Sequence, residues 1–549
     1  MNRSVGPRAA IGAAVVIAVA GLAIAGWVAL GGTPKPPSSA APQFVEETAG
    51  AGVDHTFGGA DRWFVGGGVA VFDCDADHLP ELYVAGGERP ALLARNVGAV
   101  GGPLAFEAVH DPVTDLTDVT GAYPLDVDGD GVADLAVLRR GESVLLRGLG
   151  DCRFEPANDR WSFDGGDGWG TAFSATWEDD ASLPTLALGR YLDLEQTTGG
   201  TRVCGDNLLY RATPDGAYGE PTPMRPGFCT LSVLFSDWGR SGRRDLRISN
   251  DRHYYQDGRE QLWRIEPGTA LREYTEADGW QPMQIWGMGI ASQDLTGDGY
   301  PEIYLTSQGD NKLQTLADGP SRPEYRDIAL ARRATAHKPF TGDTALPSTA
   351  WHAQFEDVNN DRRMDLFVAK GNVTEMPDFA RRDPSNLLLG QHDGTFAEGA
   401  EQARIVSFDR GRGAALADLN LDGLLDLVEV NYEAPVRIWR NTGSGDPDAP
   451  AMGHWLGIEL SQPGANRDAI GSWIEVRSGD HVTQRELTVG GGHGSGRLAP
   501  THFGLGAADT ADVRVTWPDG ETGDWMSIAV DQYVSIDRHT GEISPWRLP

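Results

Sequence analysis

Residues Leu125 to Val137 read L-D-V-D-G-D-G-V-A-D-L-A-V, with Asp126, Asp128 and Asp130 alternating, Gly131 next and Asp134 closing the run. Carboxylates at positions 1, 3 and 5 can face one point when the chain curls, and that is how a calcium loop begins. An EF-hand would need a bidentate Glu at its twelfth position and a helix on each side. The twelfth position here is Val137, inside an apolar run from Leu135 to Leu138. The loop therefore leads into a strand and reads as a hairpin tip. How often it recurs decides the fold.

It recurs in the form D-x-[DNT]-x-D-x-x-x-[DE]. The copies are Asp73, Asp75, Asp77 and Glu81; Asp126, Asp128, Asp130 and Asp134; Asp294, Thr296, Asp298 and Glu302; Asp357, Asn359, Asp361 and Asp365; and Asp418, Asn420, Asp422 and Asp426. Two worn copies lie between the second and third of these. The one at Glu178 is a residue short and runs into Leu186-Ala187-Leu188. The other keeps only Asp237 and Asp245, its first and ninth positions, and gains Arg240, Arg243 and Arg244. The seven starts, at 73, 126, 178, 237, 294, 357 and 418, fall 52 to 63 residues apart. A fixed period of this size marks a repeat architecture.

Each unit carries the same surroundings. A strand of small residues precedes the loop, as in Gly67-Gly68-Val69-Ala70-Val71-Phe72 or Gly413-Ala414-Ala415-Leu416-Ala417. An alternating strand follows it, as in Ile303-Tyr304-Leu305, and then come a third strand and a turn leading into a fourth, as at Gly394-Thr395-Phe396. Four short strands in each of seven units predict an all-β fold, a seven-bladed β-propeller spanning 44–446. These units resemble the FG-GAP/VCBS repeats of integrin-type propellers, in which the loop between the first two strands binds calcium. The block Phe44-Val45-Glu46-Glu47-Thr48 resembles the entry segment of the cartilage acidic protein family, which implies an N-terminal strand completing the last blade.

Past a Pro-rich joint at Pro447 and Pro450, residues 452–543 read as a separate small β-rich domain. Trp455–Leu460, Asn466–Gly471, His502–Gly506 and Val513–Gly520 resemble, in order, the ASPIC/UnbV domain. A propeller followed by this domain is the arrangement of the cartilage acidic protein family. The chain departs from that pattern at Gly492-His493-Gly494-Ser495-Gly496, where Gly496 replaces the usual Gln. The segment fails the G-x-S-x-G template because position 493 is His, and no phosphate-binding loop is present. It reads as a flexible β-turn. No nucleophile–base constellation is found, so an enzyme is not expected. Were there a catalytic centre in the propeller channel, His253 and His352 would be the first residues to test. Trp280, Trp286, Trp351 and the Arg252-His253-Tyr254-Tyr255 stretch are candidate partner contacts, with core packing the plainer reading of the tryptophans.

Composition bounds the partners. A formal charge of −33 over 549 residues repels nucleic acid and anionic membrane surfaces and suits bound cations. At its start the chain has a basic flank (1–8) and an uncharged apolar stretch (9–32) long enough to span a bilayer. A Pro- and Ser-rich spacer (33–43) follows. The length favours an uncleaved anchor, while Ala23-Ile24-Ala25 leaves signal cleavage open. The expected location is the cell membrane, single-pass with the bulk outside the cytoplasm, or secretion if the segment is cut. Four cysteines in an exported chain suggest disulfides, Cys204–Cys229 first and Cys74–Cys152 as the remainder.

Calcium suits the loops because it takes six to eight oxygens in an adaptable shell, whereas magnesium demands a tight octahedron and keeps its waters. Gly131, Gly299 and Gly423 supply the sharp bend at the sixth position, which His78 and Arg362 occupy in two other loops. About five calcium ions are expected, with the units at 178 and 237 empty. The expected function is an exported, membrane-anchored, calcium-stabilised module that binds a protein or glycan without catalysis. A cell-envelope enzyme or biosynthetic accessory protein using the propeller channel is the alternative.

Overall fold

The structure, a computed structural model, describes residues 40–548 except 60–62, 198–201, 252–256, 336–347, 374–382 and 446–451. The expected membrane segment and His253 lie outside the described residues, and no helix among those described is long and apolar enough to cross a membrane. Ala40–Pro549 groups as one compact unit.

Seven antiparallel sheets follow one another along the chain. The second is representative: Val119–Leu125, Asp134–Arg139, Val144–Gly148 and Phe154–Pro156, each strand paired to the next. In every sheet the acid-rich loop joins the first two strands. The first strands of the second, third and fourth sheets are buried along their whole length, while the fourth strands are short and half exposed. A strand covered on both faces by neighbouring sheets has no solvent side to alternate with. The first strands adjoin one another in chain order, and the last of them, Gly411–Ala417, adjoins the first, Val69–Phe72. Phe44–Glu46 supplies the fourth strand of the seventh sheet, pairing antiparallel with Trp439–Asn441.

The C-terminal segment builds two four-stranded sheets, one led by Thr501–Gly506 and His454–Ser461, the other by His481–Glu486 and Trp473–Ser478. Their shared core includes Leu456, Ile474, Phe503, Val513 and Val534. The same segment also enters the repeat array. Gly496–Leu498 runs parallel to Val69–Phe72 as an extra strand of the first sheet. Single bridges tie Val489 to Ala175, Gly490 to Leu234, Gly492 to Ile290 and Ser495 to Ala122. The innermost strands of five sheets therefore converge on one glycine-rich stretch.

This corrects the reading of that stretch as a flexible turn: His493 is fully buried and Ser495 is 6% exposed. The reason is steric. A Cβ at Gly68 would lie 1.7 Å from the Gly494 carbonyl oxygen, and one at Gly121 2.3 Å from the same atom. The small residues of the first strands leave a gap that only bare backbone fills. Beyond the stretch, Trp351 and the fully buried Arg412 stack, 4.3 Å from guanidinium carbon to ring centre, and Arg412 donates to the carbonyls of Phe64, Gly371, Gly411 and Asn372.

Candidate metal loops

The five well-kept loops share one hydrogen-bond pattern. The first-position carboxylate turns into its own loop and accepts the N–H groups of positions 4 to 6: for Asp126 these are Gly129 at 2.8 Å, Asp130 at 3.1 Å and Gly131 at 2.8 Å. Asp73 and Asp294 accept those of positions 4 and 6 in their own loops, and Asp357 and Asp418 those of positions 5 and 6. The fifth-position aspartates, Asp77, Asp130, Asp298, Asp361 and Asp422, each accept the N–H two residues on. The ninth-position acid is buried in every case and joins the loop to the third strand. Asp134 accepts from Val127 and Gly148, both at 2.7 Å, and Glu81, Asp365 and Asp426 repeat that geometry on Asn96, Gly390 and Asn441. Glu302 differs, accepting the hydroxyls of Thr296 and Thr315.

The third position tests the fit to a metal. Asp75 Oδ1, Asp128 Oδ1 and Asn420 Oδ1 are buried and accept no hydrogen bond. A buried oxygen without a partner carries a desolvation cost of roughly 1–3 kcal/mol, which a hard cation at that point removes. In two loops the acids already converge: Asp73, Asp75 and Glu81, and Asp126, Asp128 and Asp134, each offer ligand atoms within 4.8 Å of one another. Burial pushes Glu81 up to about 9 and Asp134 up to about 8, and the neighbouring loop carboxylates add to both shifts. Asp294, Thr296, Asp298 and Glu302, and likewise the loops at 357 and 418, lie at equivalent hairpin tips with looser acid sets.

Arginines also reach these loops. Arg95 pairs with Asp75 at 2.5 Å, Arg147 with Asp128 at 2.7 Å and with Asp130, and Arg363 with Asp361. A spacing in the sequence marks the first two. Arg95 and Arg147 follow the ninth-position acid by 14 and 13 residues, as Arg440 does in the seventh sheet.

The worn loops carry the comparison further. At 178 the acid is committed to protein partners, since Glu178 Oε1 accepts from Thr185 Oγ1 and Arg211 Nε, both at 2.8 Å. At 237 the ninth-position Asp245 accepts from Arg243 Nε at 2.9 Å, Trp238 Nε1 at 2.9 Å and Tyr274 at 2.8 Å. Its other arginines face the C-terminal domain. Arg240 lies 4.2 Å over the Trp473 ring, and Arg244 donates to the carbonyls of Gly471 and Pro518.

The C-terminal domain in fact rests on the loop face. Tyr533 donates to Asp418, Arg362 to the Ser478 carbonyl, and Glu486 accepts from Ser236 and Asp237. Glu356, just before the sixth loop, is fully buried between Arg485 and Arg497 of the C-terminal segment. Burial alone would raise its carboxyl, but the two guanidinia outweigh it and hold the group down at about 2. His352, a candidate catalytic residue from the sequence, instead accepts the His493 N–H through Nδ1 at 3.1 Å, and burial holds it down at about 4. Trp280 and Trp351 are core residues, 1% exposed each. Both disulfides form, Cys204–Cys229 and Cys74–Cys152, the latter tying the first loop to the second sheet.

Residues 462–543 match the "ASPIC and UnbV" family model and residues 357–429 the "FG-GAP-like repeat" model. Curated relatives named cartilage acidic protein 1 are 23% identical in Mus musculus, over 83% of this chain and 70% of the relative, and 24% identical in Homo sapiens, over 83% and 69%. Among solved structures, an Agrocybe aegerita lectin that recognises non-reducing terminal N-acetylglucosamine aligns at 15% identity and TM-score 0.36, covering 66% of this chain and 90% of that one. A triple arginine-to-alanine mutant of AofleA from Arthrobotrys oligospora aligns at 10% identity and TM-score 0.35, covering 61% and 85%.

Proposed function

We propose that the chain is a member of the cartilage acidic protein family: a seven-bladed, calcium-binding β-propeller (44–446) with a C-terminal cap (452–543). On this reading it is exported, held at the cell membrane by its N-terminal segment, and binds a protein or glycan without catalysis. The observation that carries it is the set of buried third-position oxygens, Asp75 Oδ1, Asp128 Oδ1 and Asn420 Oδ1, left without hydrogen bonds in loops whose other acids are tied down. Calcium would be held there by positions 1, 3, 5 and 9 of each loop, and it would supply charge neutralisation and a rigid hairpin tip. An enzyme working through the propeller centre, the alternative, would have to accommodate Val489–Leu498, which bridges the innermost strands there, and would rely on His352, whose Nδ1 takes the His493 N–H while its buried Nε2 has no partner.

The test is surface binding of the full chain to cells and to an immobilised glycan panel, in millimolar calcium and in chelator. Calcium-dependent, saturable binding to a surface component is expected. Absence of any binding, together with turnover of a small molecule that His352→Ala abolishes, overturns the proposal. Retention of the chain in membranes after alkaline carbonate washing tests the anchor separately.

A further inference from the structure

The loop face holds a second kind of chemistry. A cleft of about 410 Å³ opens between the fifth and sixth sheets, beneath the C-terminal hairpin that joins Trp473–Ser478 to His481–Glu486. Arg332, Arg362, Arg363, His481 and Thr483 line it. Three arginines around one cleft are out of keeping with a chain of formal charge −33.

Their partners separate them. Arg363 is neutralised by Asp361. Arg332 donates Nη1 to the Gly394 carbonyl at 2.7 Å, and Arg362 donates Nη1 to the Ser478 carbonyl at 3.3 Å. Carbonyls orient a guanidinium without cancelling its charge, and no ion pair involves either residue among the described residues. Two aspartates also line the cleft, and neither serves as counter-ion: Asp294 turns inward to the N–H groups of Gly297 and Gly299, and Asp480 stands exposed at the hairpin turn. Arg332 and Arg362 are thus the lining guanidinia with no carboxylate in contact among the described residues, each held in place by a carbonyl. Partial burial and then the Arg362 guanidinium hold His481 below its ordinary value.

We propose that this cleft binds a compact oxyanion, the sulfate, phosphate or carboxylate group of a small ligand, between the guanidinia of Arg332 and Arg362. A guanidinium presents paired N–H donors that match such groups in a plane, which an ammonium cannot do. The site needs no adhesive role, and it shares Asp294 and Thr296 with the loop of the fifth sheet. It is built by two sheets and the cap together, so it exists only while the cap is docked.

Calorimetric titration of the full chain at low ionic strength tests it, with inorganic sulfate, glucose 6-sulfate and glucose as probes. Saturable binding of a sulfate-bearing probe is expected, with no heat from glucose. Arg332→Gln and Arg362→Gln should each weaken it about tenfold or more, as loss of a charge-assisted pair implies, while Arg326→Gln on the exposed fourth strand of the fifth sheet leaves it unchanged. Equal affinity for both sulfate probes identifies a free anion as the ligand, and tighter binding of the sugar sulfate identifies a sugar-borne group. Should a glutamine variant not fold by circular dichroism, Arg332→Lys and Arg362→Lys keep the charge, remove the fork and should still weaken binding. No saturable binding, equal binding of glucose, or variants that bind like the parent chain would each sink the proposal.

Discussion

The loops at Asp126 and Asp237 occupy the same place in the second and fourth sheets and meet the same difficulty, a buried ninth-position acid. The first surrounds Asp134 with Asp126 and Asp128, leaving one buried oxygen without a partner. The second surrounds Asp245 with Arg243, Trp238 and Tyr274 and sends Arg240 and Arg244 to the C-terminal domain. Both draw an arginine from the chain, Arg147 to Asp128 and Asp130 in the first and Arg243 to Asp245 in the second, but only the first keeps a buried carboxylate oxygen without a partner, where an ion from solvent fits. A repeat can therefore lose its metal pattern without losing its strand geometry, provided a side chain takes over the charge.

The comparison breaks or sharpens under four measurements. The largest effect is expected from calcium itself: at a hundredfold excess over its dissociation constant each filled loop gains about 2.7 kcal/mol, so chelator should lower the melting temperature steeply. A melting temperature indifferent to calcium would mean that the carboxylate loops are self-sufficient too.

Next is Asp245→Ala, which strands the partly buried Arg243 and should cost about 3–5 kcal/mol, equally in calcium and in chelator. Asp134→Ala should instead cost more in calcium than in chelator. Identical calcium dependence of the two variants would erase the distinction between the loops.

Glu356→Gln should cost about 3 kcal/mol near neutral pH, because it leaves Arg485 and Arg497 with no buried counter-charge. Glu356 lies at about 2 in the fold against an ordinary 4.5, so its contribution is full above pH 4.5 and is lost as the pH falls toward 2. Denaturant melts of both proteins across that window should converge at the acid end. A constant gap would place the energy in packing rather than charge.

The smallest effect is Arg240→Ala, which removes a cation–π contact worth about 1 kcal/mol. It should loosen the cap in hydrogen exchange around Trp473 without altering calcium response.

Much of this was legible in the residues. The acid loops fall where seven of the sheets join their first two strands, and the small-residue strands before them fall where those first strands lie. What stayed hidden was contact between distant segments. Ser495 accepts from the Val69 N–H, 426 residues away, and nothing periodic in the chain announces such a pairing. The glycines of 490–496 satisfy the grammar of a surface turn as well as that of a backbone threaded through a narrow gap, since both need residues without a Cβ. Arg240 and Arg244 read as decay of a motif, because their partners Trp473, Gly471 and Pro518 belong to another region. Local chemistry was readable, and its docking was not.

The threaded stretch also sets an order in time. Residues 489–498 leave the ribosome after every strand of the seven sheets, yet they fill the space at which those strands meet. Without them, the strand position beside Val69–Phe72 stays open. A chain cut after Gly445 would lack that strand and the bridges to Ala122, Ala175, Leu234 and Ile290, so the last fifth of the sequence holds together strands that lie far apart along the chain.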